Sequence, residues 1–202
     1  MTNAAPDDSF AAVERVMRAQ RAVRLFDGRP VDDALIERAL RAAVHAPSGG
    51  NSQPWRFIVV RDRETKRRLG VIFDELGKQL YGDRAPERTP WQDVPLLIAV
   101  CTETDRAQAG ASIFPVVQNL LLALHAQGLG SVLTTRWKVR EAEVRPLLGL
   151  PETLEAHAIL PVGWPARRHG RGRRRPIEEV TFRESFGRPW RPDYSGRTGG
   201  AS

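Results

Sequence analysis

From Ala107 to Gln127 the chain carries no Asp, Glu, Lys or Arg. A segment this long and apolar reads as a helix that is hydrophobic on every side, and such a helix has to be covered all round. A bilayer could cover it, but Gln118 and Asn119 sit at its middle and cut the apolar run short of a span. The remaining solution is burial at the centre of a fold or of a dimer. The chain has 202 residues, enough for one domain with its own core and an extension. Its content, 41% hydrophobic and 27% charged, is that of a soluble globular protein rather than a disordered or membrane one. The opening residues, Met1-Thr2-Asn3-Ala4-Ala5-Pro6-Asp7-Asp8, are polar and acidic and do not read as a signal peptide. A single cysteine, Cys101, allows no intrachain disulfide and no cysteine-based zinc site. The expectation is a cytoplasmic protein of a reducing compartment.

Elements on both sides of the apolar helix can be read from period and punctuation. Ser9 is a candidate N-cap for a first helix running to about Gln20, with Phe10, Val13, Val16 and Met17 at helical spacing. A second helix starts at Asp32 or Asp33 and carries Leu35, Ile36, Ala39, Leu40, Ala43 and Val44 as one stripe. Val31 and Ile36 suit a hydrophobic staple around an Asp32 cap, and Pro47 stops the helix near Ala46. Residues 55–60 read as a buried strand and 63–81 as a helix. The Pro- and charge-rich stretch 82–93 reads as an irregular surface loop, available as a lid. Residues 96–101 form a strand, and Gly128-Leu129-Gly130 ends the apolar helix. A short strand at 131–135, a helix at 141–148 and a last core strand at 156–162 follow. This order is that of an α+β layer fold, a mixed sheet flanked by helices around a long central one. Residues 1–182 form the domain. A short element fits 177–182. Residues 183–202 form an extension whose Phe186, Trp190 and Tyr194 are available to wrap a second subunit.

Charge is concentrated. Lys and Arg total 31 against 24 Asp and Glu, and six arginines with no acid fall within residues 166–175. That run can be a solvated loop, a local anion site or a nucleic-acid contact. A nucleic-acid surface is usually basic more widely and interleaved with aromatics, so nucleic acid is the disfavoured partner. The loop Pro47-Ser48-Gly49-Gly50-Asn51-Ser52-Gln53-Pro54 packs small residues and amides between two core elements. Its glycines permit close backbone approach, and its Ser, Asn and Gln side chains can read a polar ring edge. Arg21 and Arg24 stand three apart where the first helix ends. On a helix they share a face, and they would repel unless an anion lies between them. Each feature alone is also compatible with an ordinary turn. Cys101, in an apolar strand, reads as core, and His45, His125, His157 and His169 show no metal spacing.

Taken together, Arg21-x-x-Arg24-x-Phe26, Pro30, an amphipathic helix, and Ala46-Pro47-Ser48-Gly49-Gly50-Asn51-x-Gln53-Pro54-Trp55 before a strand resemble the FMN-dependent nitroreductase family. Gly128-Leu129-Gly130-Ser131 is similar to the exit of that family's central helix. Val162-Gly163-Trp164-Pro165, with the basic stretch ending Arg173-Arg174-Arg175-Pro176, is similar to its C-terminal signature. The resemblance spans residues 13 to 182. Two positions depart from the pattern: members often carry a basic residue or histidine where Gln20 stands and a serine where Ala22 stands.

The resemblance implies a domain-swapped-style homodimer with one FMN per subunit at the interface, and no catalytic side chain, the flavin carrying the chemistry. By correspondence Arg21 meets the phosphate or ribityl chain, Ala22 is counted with it among the cofactor-binding positions, and Arg24 lies near the N1 and C2-carbonyl edge. Pro47, Ser48, Gly49 and Asn51 of the partner chain line the ring. Thr134 and Thr135, with Arg136 beside them, approach the N5 side, and Arg173 and Arg175 close on the phosphate. Gln53 and Trp55 support the loop and core. The implied activity is NAD(P)H-dependent reduction of nitroaromatics, quinones or related small electron acceptors, ping-pong, with hydride passing through flavin N5. NADH and NADPH stay equal candidates. Rival readings are a same-fold flavoenzyme of other chemistry (dehydrogenation, reductive dehalogenation or flavin fragmentation) and a flavin- or nucleic-acid-binding module.

Overall fold

A computed structural model describes residues 8–104, 109–170 and 172–190. The chain divides into two compact units, Met1–Gly170 and Arg171–Ser202. The first unit is built on a four-stranded sheet in the order β1-β2-β4-β3. The strands are β1 (Trp55–Val60), β2 (Leu96–Glu103), β3 (Gly130–Ser131) and β4 (Leu154–Gly163), and all three pairings are antiparallel. The parallel component of the expected mixed sheet is one bridge, Ala22 to Ser131. The helices are α1 (Ser9–Ala19), α2 (Asp33–Ala43), α3 (Arg63–Tyr81), α4 (Ala109–Ala126) and α5 (Glu141–Leu147).

Strand β2 shows why the sheet is central. Residues Leu96 to Thr102 are each at most 1% exposed, so both of its faces are covered. Successive side chains of a strand point to opposite faces. Leu96, Ile98 and Val100 accordingly pack with α2 and α4, whereas Leu97, Ala99 and Cys101 pack with α3, Trp91 and Trp137. Burial pushes the Cys101 thiol up to about 11, which makes it a core group rather than a nucleophile. Within α4, Ile113, Val116, Val117, Leu120 and Leu124 are at most 1% exposed, while Phe114 on the same helix is half uncovered. Among the described residues no helix is long and apolar enough to cross a membrane.

Local signals hold the helices in place. Asp32 Oδ1 accepts from the Ala34 amide at 2.8 Å and caps α2, and the staple residues Val31 and Ile36 lie in one core. Asp62 Oδ2 accepts from the Thr65 amide at 2.7 Å and caps α3. At α1 the expected cap is absent: Asp8 holds the N-cap position without a side-chain bond and Ser9 is already helical. No residue of α1 is buried, and Phe10, Val13 and Met17 are exposed along it.

Two readings need correction. The segment 82–93 is not a surface loop throughout, because Trp91 is 2% exposed and stacks on Phe73 with centroids 4.5 Å apart. Nor is the segment free to act as a lid. The Thr89 amide donates to Arg24 O at 2.9 Å, and Thr89 Oγ1 accepts from the Phe26 amide at 2.9 Å. The second correction concerns Arg21 and Arg24, which lie on no helix. The chain from Arg21 to Phe26 is extended: Val23 donates to Ser131 O, and Phe26 bridges Pro165. Gly130 permits this approach, since a Cβ there would stand 2.6 Å from Val23 Cγ1.

In the second unit the described residues form a short helical turn, Ile177–Glu179, and a loop closed by a Phe182–Pro189 bridge. Phe186 is 90% exposed. Tyr194 lies outside the described residues.

Candidate functional site

The extended segment presents its two arginines without carboxylate partners among the described residues. Arg21 Nε donates to Gly170 O at 3.0 Å and its Nη1 donates to Gln20 O. Arg24 Nη1 makes one long contact, 3.4 Å to Ala22 O. Backbone carbonyls orient the guanidiniums without neutralising them, which leaves both charges available to an external anion. Ala22 is exposed between them. His125, near the end of α4, is held below its ordinary pKa by burial and by the charge of Arg21.

The loop after α2 is shaped by its own polar groups. Ser48 Oγ accepts from the Gln53 amide at 3.1 Å, and Gln53 Nε2 donates to Asn51 Oδ1 at 3.2 Å. Gly50, Asn51 and Gln53 all have positive φ, at 58°, 53° and 47°. Two non-glycine residues in the left-handed region within three positions is a strained arrangement of the kind that clusters at ligand sites. Pro47, Gly49 and Asn51 are exposed, and a Cβ at Gly49 or Gly50 would meet nothing within 4 Å. The Gly49 amide points to Ser112 Oγ at 3.4 Å, near the start of α4.

The third element is the turn Arg136–Arg140 with the residues before it. Thr134 faces inward: its hydroxyl donates to Ile159 O at 2.5 Å, and its own carbonyl accepts from Trp137 Nε1 at 3.0 Å. Thr135 is the exposed member of the pair. Arg136 lies over the Phe73 ring, with Cζ 3.4 Å from the centroid. Burial, and secondarily the Arg88 charge, hold its pKa below the usual arginine value.

The structure sets Arg21, Ala22 and Arg24 beside Ser131, just beyond the C-terminal end of α4, and Thr134 and Thr135 follow against Ile159 of β4. It places Pro47, Ser48, Gly49 and Asn51 near the start of α4, where the Gly49 amide meets Ser112. The rise of α4 between Ser112 and Ala126 is about 21 Å. The two sets are therefore not neighbours within one chain. Arg173 and Arg175 belong to the second unit and are exposed. Among the described residues no His, Cys, Asp and Glu cluster could hold a metal ion.

The chain matches the nitroreductase family model over residues 17–164. The chain belongs to the nitroreductase family. An iodotyrosine deiodinase of Thermotoga neapolitana is 32% identical over 163 residues, covering 73% of this chain and 86% of that protein. An NADH dehydrogenase of Thermus thermophilus is 31% identical over 202 residues, covering 87% of this chain and 95% of that protein. In three dimensions the chain is similar to an oxidized iodotyrosine deiodinase bound to FMN and 3-iodo-L-tyrosine. That match has a TM-score of 0.73 and 29% identity, over 86% of this chain and 98% of the other. In this nitroreductase-family chain, sequence reasoning missed the side chains that gather behind Arg24: Phe73, Arg88 and Trp91. Phe73 reads as an ordinary core position of α3, and Trp91 sits in a stretch whose prolines and charges suggest exposure. Only the contacts between α3 and 82–93 reveal them.

Proposed function

We propose that this protein is a homodimeric FMN-dependent oxidoreductase that takes electrons from NADH or NADPH and delivers them to a small nitroaromatic, quinone or related acceptor. The observation that carries the reading is the separation along α4. Arg24 and the Ser48–Asn51 loop have the chemistry to grip one flavin, but the Arg24 segment pairs with Ser131 beyond the C-terminal end of α4 while the loop meets Ser112 near its start, a helical rise of about 21 Å. A second copy supplies the missing half. The apolar residues uncovered on α1 and α4 (Phe10, Val13, Met17 and Phe114) give that copy a surface to bury.

The residues fit the cofactor's chemistry. Arg21 and Arg24 lack carboxylate partners among the described residues, as groups that bind a phosphate and an electron-rich ring edge need to. Open space over Gly49 and Gly50 lets backbone come close to a planar ring. Bound FMN supplies reversible two-electron chemistry with nicotinamides and acceptors. In this reading Arg21 holds the phosphate or ribityl end. Arg24 stands at the N1 and C2-carbonyl edge, where a fixed cation favours the charge that accompanies reduction. Asn51, locked by Gln53, presents its amide to the ring. The exposed Thr135 is the threonine available to the N5 side, while Thr134 holds the turn against β4.

The test is spectroscopic. Purified protein is yellow or reconstitutes with FMN, NADH or NADPH bleaches it without air, and a nitroaromatic or quinone restores the colour. A protein that neither carries nor takes up FMN refutes the reading. The likeness to iodotyrosine deiodinases favours a second reading, reductive dehalogenation. Iodide release from 3-iodo-L-tyrosine by the reduced protein, with no turnover of nitro compounds, selects it.

A further inference from the structure

Arg136 is an arginine with nothing to hold. Its guanidinium makes no hydrogen bond or ion pair among the described residues, and its Nε is buried without a partner. The neighbouring Arg140 is tied to both Glu75 and Glu143. Arg88 likewise has Asp74, with Nε donating to Oδ1 at 2.7 Å. A half-buried cation with no counter-ion is costly to keep, and the chain goes to some length to keep this one. Phe73 carries Trp91 on one face and Arg136 against the other, for at 4.5 Å and 3.4 Å the two cannot share a face. Gly77 clears the path, since a Cβ there would stand 2.9 Å from Arg136 Nη2. The turn that bears Arg136 is fixed on both sides, by the buried Trp137 indole and by the Arg140–Glu75 pair to α3.

The surroundings are cationic and aromatic. Arg24 and Arg88 line a small cleft with Phe26, Phe73, Thr89 and Trp91. Asp74, the acid beside this group, is already engaged by Arg88. Tyr81, at the end of α3, lies 5.9 Å from the Arg136 guanidinium and is 47% exposed, and Leu80 beside it is 62% exposed. A planar fork of free N–H donors next to an exposed aromatic ring matches a planar carboxylate attached to an aromatic ring.

We propose that Arg136, held between Phe73 and Gly77, is the receptor for the carboxylate of an aromatic acid that this protein binds as its substrate. This deepens the proposed function and rests on it for the word substrate, since Thr135, adjacent to Arg136, is there placed toward the flavin. The carboxylate receives a bidentate contact from Arg136, Tyr81 offers a face to the attached ring, and the uncompensated charge of Arg24 draws the anion in.

Two measurements test it, on wild type, Arg136→Gln, Arg136→Lys and Gly77→Ala. The first needs no flavin: thermal unfolding with benzoate, benzamide or inorganic phosphate added. Benzoate raises the wild-type midpoint more than benzamide or phosphate does, and the gain vanishes in Arg136→Gln. It also falls in Gly77→Ala, which keeps the charge but displaces the guanidinium. The second compares kcat/KM for 4-nitrobenzoate and 4-nitrobenzamide with the FMN-loaded protein. The nitrobenzoate preference drops by about tenfold or more in Arg136→Gln, mainly through KM, and Arg136→Lys restores part of it. Equal benzoate shifts in wild type and Arg136→Gln, or a preference unaffected by the substitution, overturn the proposal. So does an Arg136→Gln effect confined to the NADPH-to-NADH ratio or to phosphate, which would make the bound group a phosphate. A protein that takes up no FMN refutes the oxidoreductase reading, and the benzoate measurement still decides the anion site.

Discussion

Pairing two defective variants restores flavin sites if each site is shared between chains. Arg24→Ala removes a cation from one end of α4. Asn51→Asp, at a φ of 53° that Asp tolerates, places a negative charge in the loop at the other end. Loss of a charge-assisted contact to the cofactor costs about 1.5–3 kcal/mol, or roughly 10- to 150-fold in FMN affinity. Each variant alone is then largely flavin-free at micromolar concentration. With the two halves at opposite ends of α4, a shared site would take Arg24 from one protomer and Asn51 from the other. A mixed dimer therefore holds one site with both defects and one with neither. If the chains assort at random, half the dimers are mixed, so roughly one quarter of all sites are intact. Co-expression from two differently tagged copies, followed by flavin absorbance per chain and acceptor turnover, reads this fraction. Recovery to about a quarter of the wild-type value is expected. A mixture no better than the weaker parent would mean that both residues serve a site within one chain, and the reasoning from α4 would be refuted.

The adjacent threonines separate fold from site. Thr134→Val leaves the buried Ile159 carbonyl without its hydroxyl donor and lowers stability by about 1–3 kcal/mol in urea unfolding. Thr135→Val leaves stability within about 0.5 kcal/mol while shifting the flavin absorbance bands. Trp91→Ala removes a buried ring stacked on Phe73 and costs about 3–5 kcal/mol by the same unfolding assay. His157 sets an acid limit. Its Nε2 lies 2.8 Å from Thr102 Oγ1, and burial holds its pKa below 6.5, with Glu155 opposing and Lys138 adding to the shift. Between the folded and unfolded values the unfolded chain binds more protons, so stability is full above about pH 6.5 and falls as the pH drops toward the folded value. The difference in urea midpoint between pH 7.5 and pH 5.5 is smaller in His157→Gln, and an unchanged difference would remove His157 from that role.

Elements whose burial is dictated by their own residues were legible in advance. The continuous apolar run of β2 and the capped, staple-bearing α2 read directly from the sequence, and α3 runs from Arg63 to Tyr81 as its period suggests. Misread features depend on partners distant in sequence. Arg21–Phe26 carries a helical-looking spacing but is drawn out straight by hydrogen bonds to Ser131 and to residues 164–166, which no local rule foresees. Trp91 is buried because Phe73 lies beneath it. Lys66, a cation of α3 that no local pattern marks for burial, is 5% exposed because its ammonium donates to the Val94 and Pro95 carbonyls. The candidate site follows the same division. Ser48, Gly49 and Asn51 announce themselves through unusual composition. Arg136 is one arginine among many until Phe73 and Gly77 are seen around it.

The central claim is that two chains enclose the flavin, and native mass spectrometry of the FMN-reconstituted protein tests it most directly. The account predicts a species of two chains carrying two FMN molecules, with Arg24→Ala lowering the flavin count. A single chain retaining one tightly held FMN would contradict it.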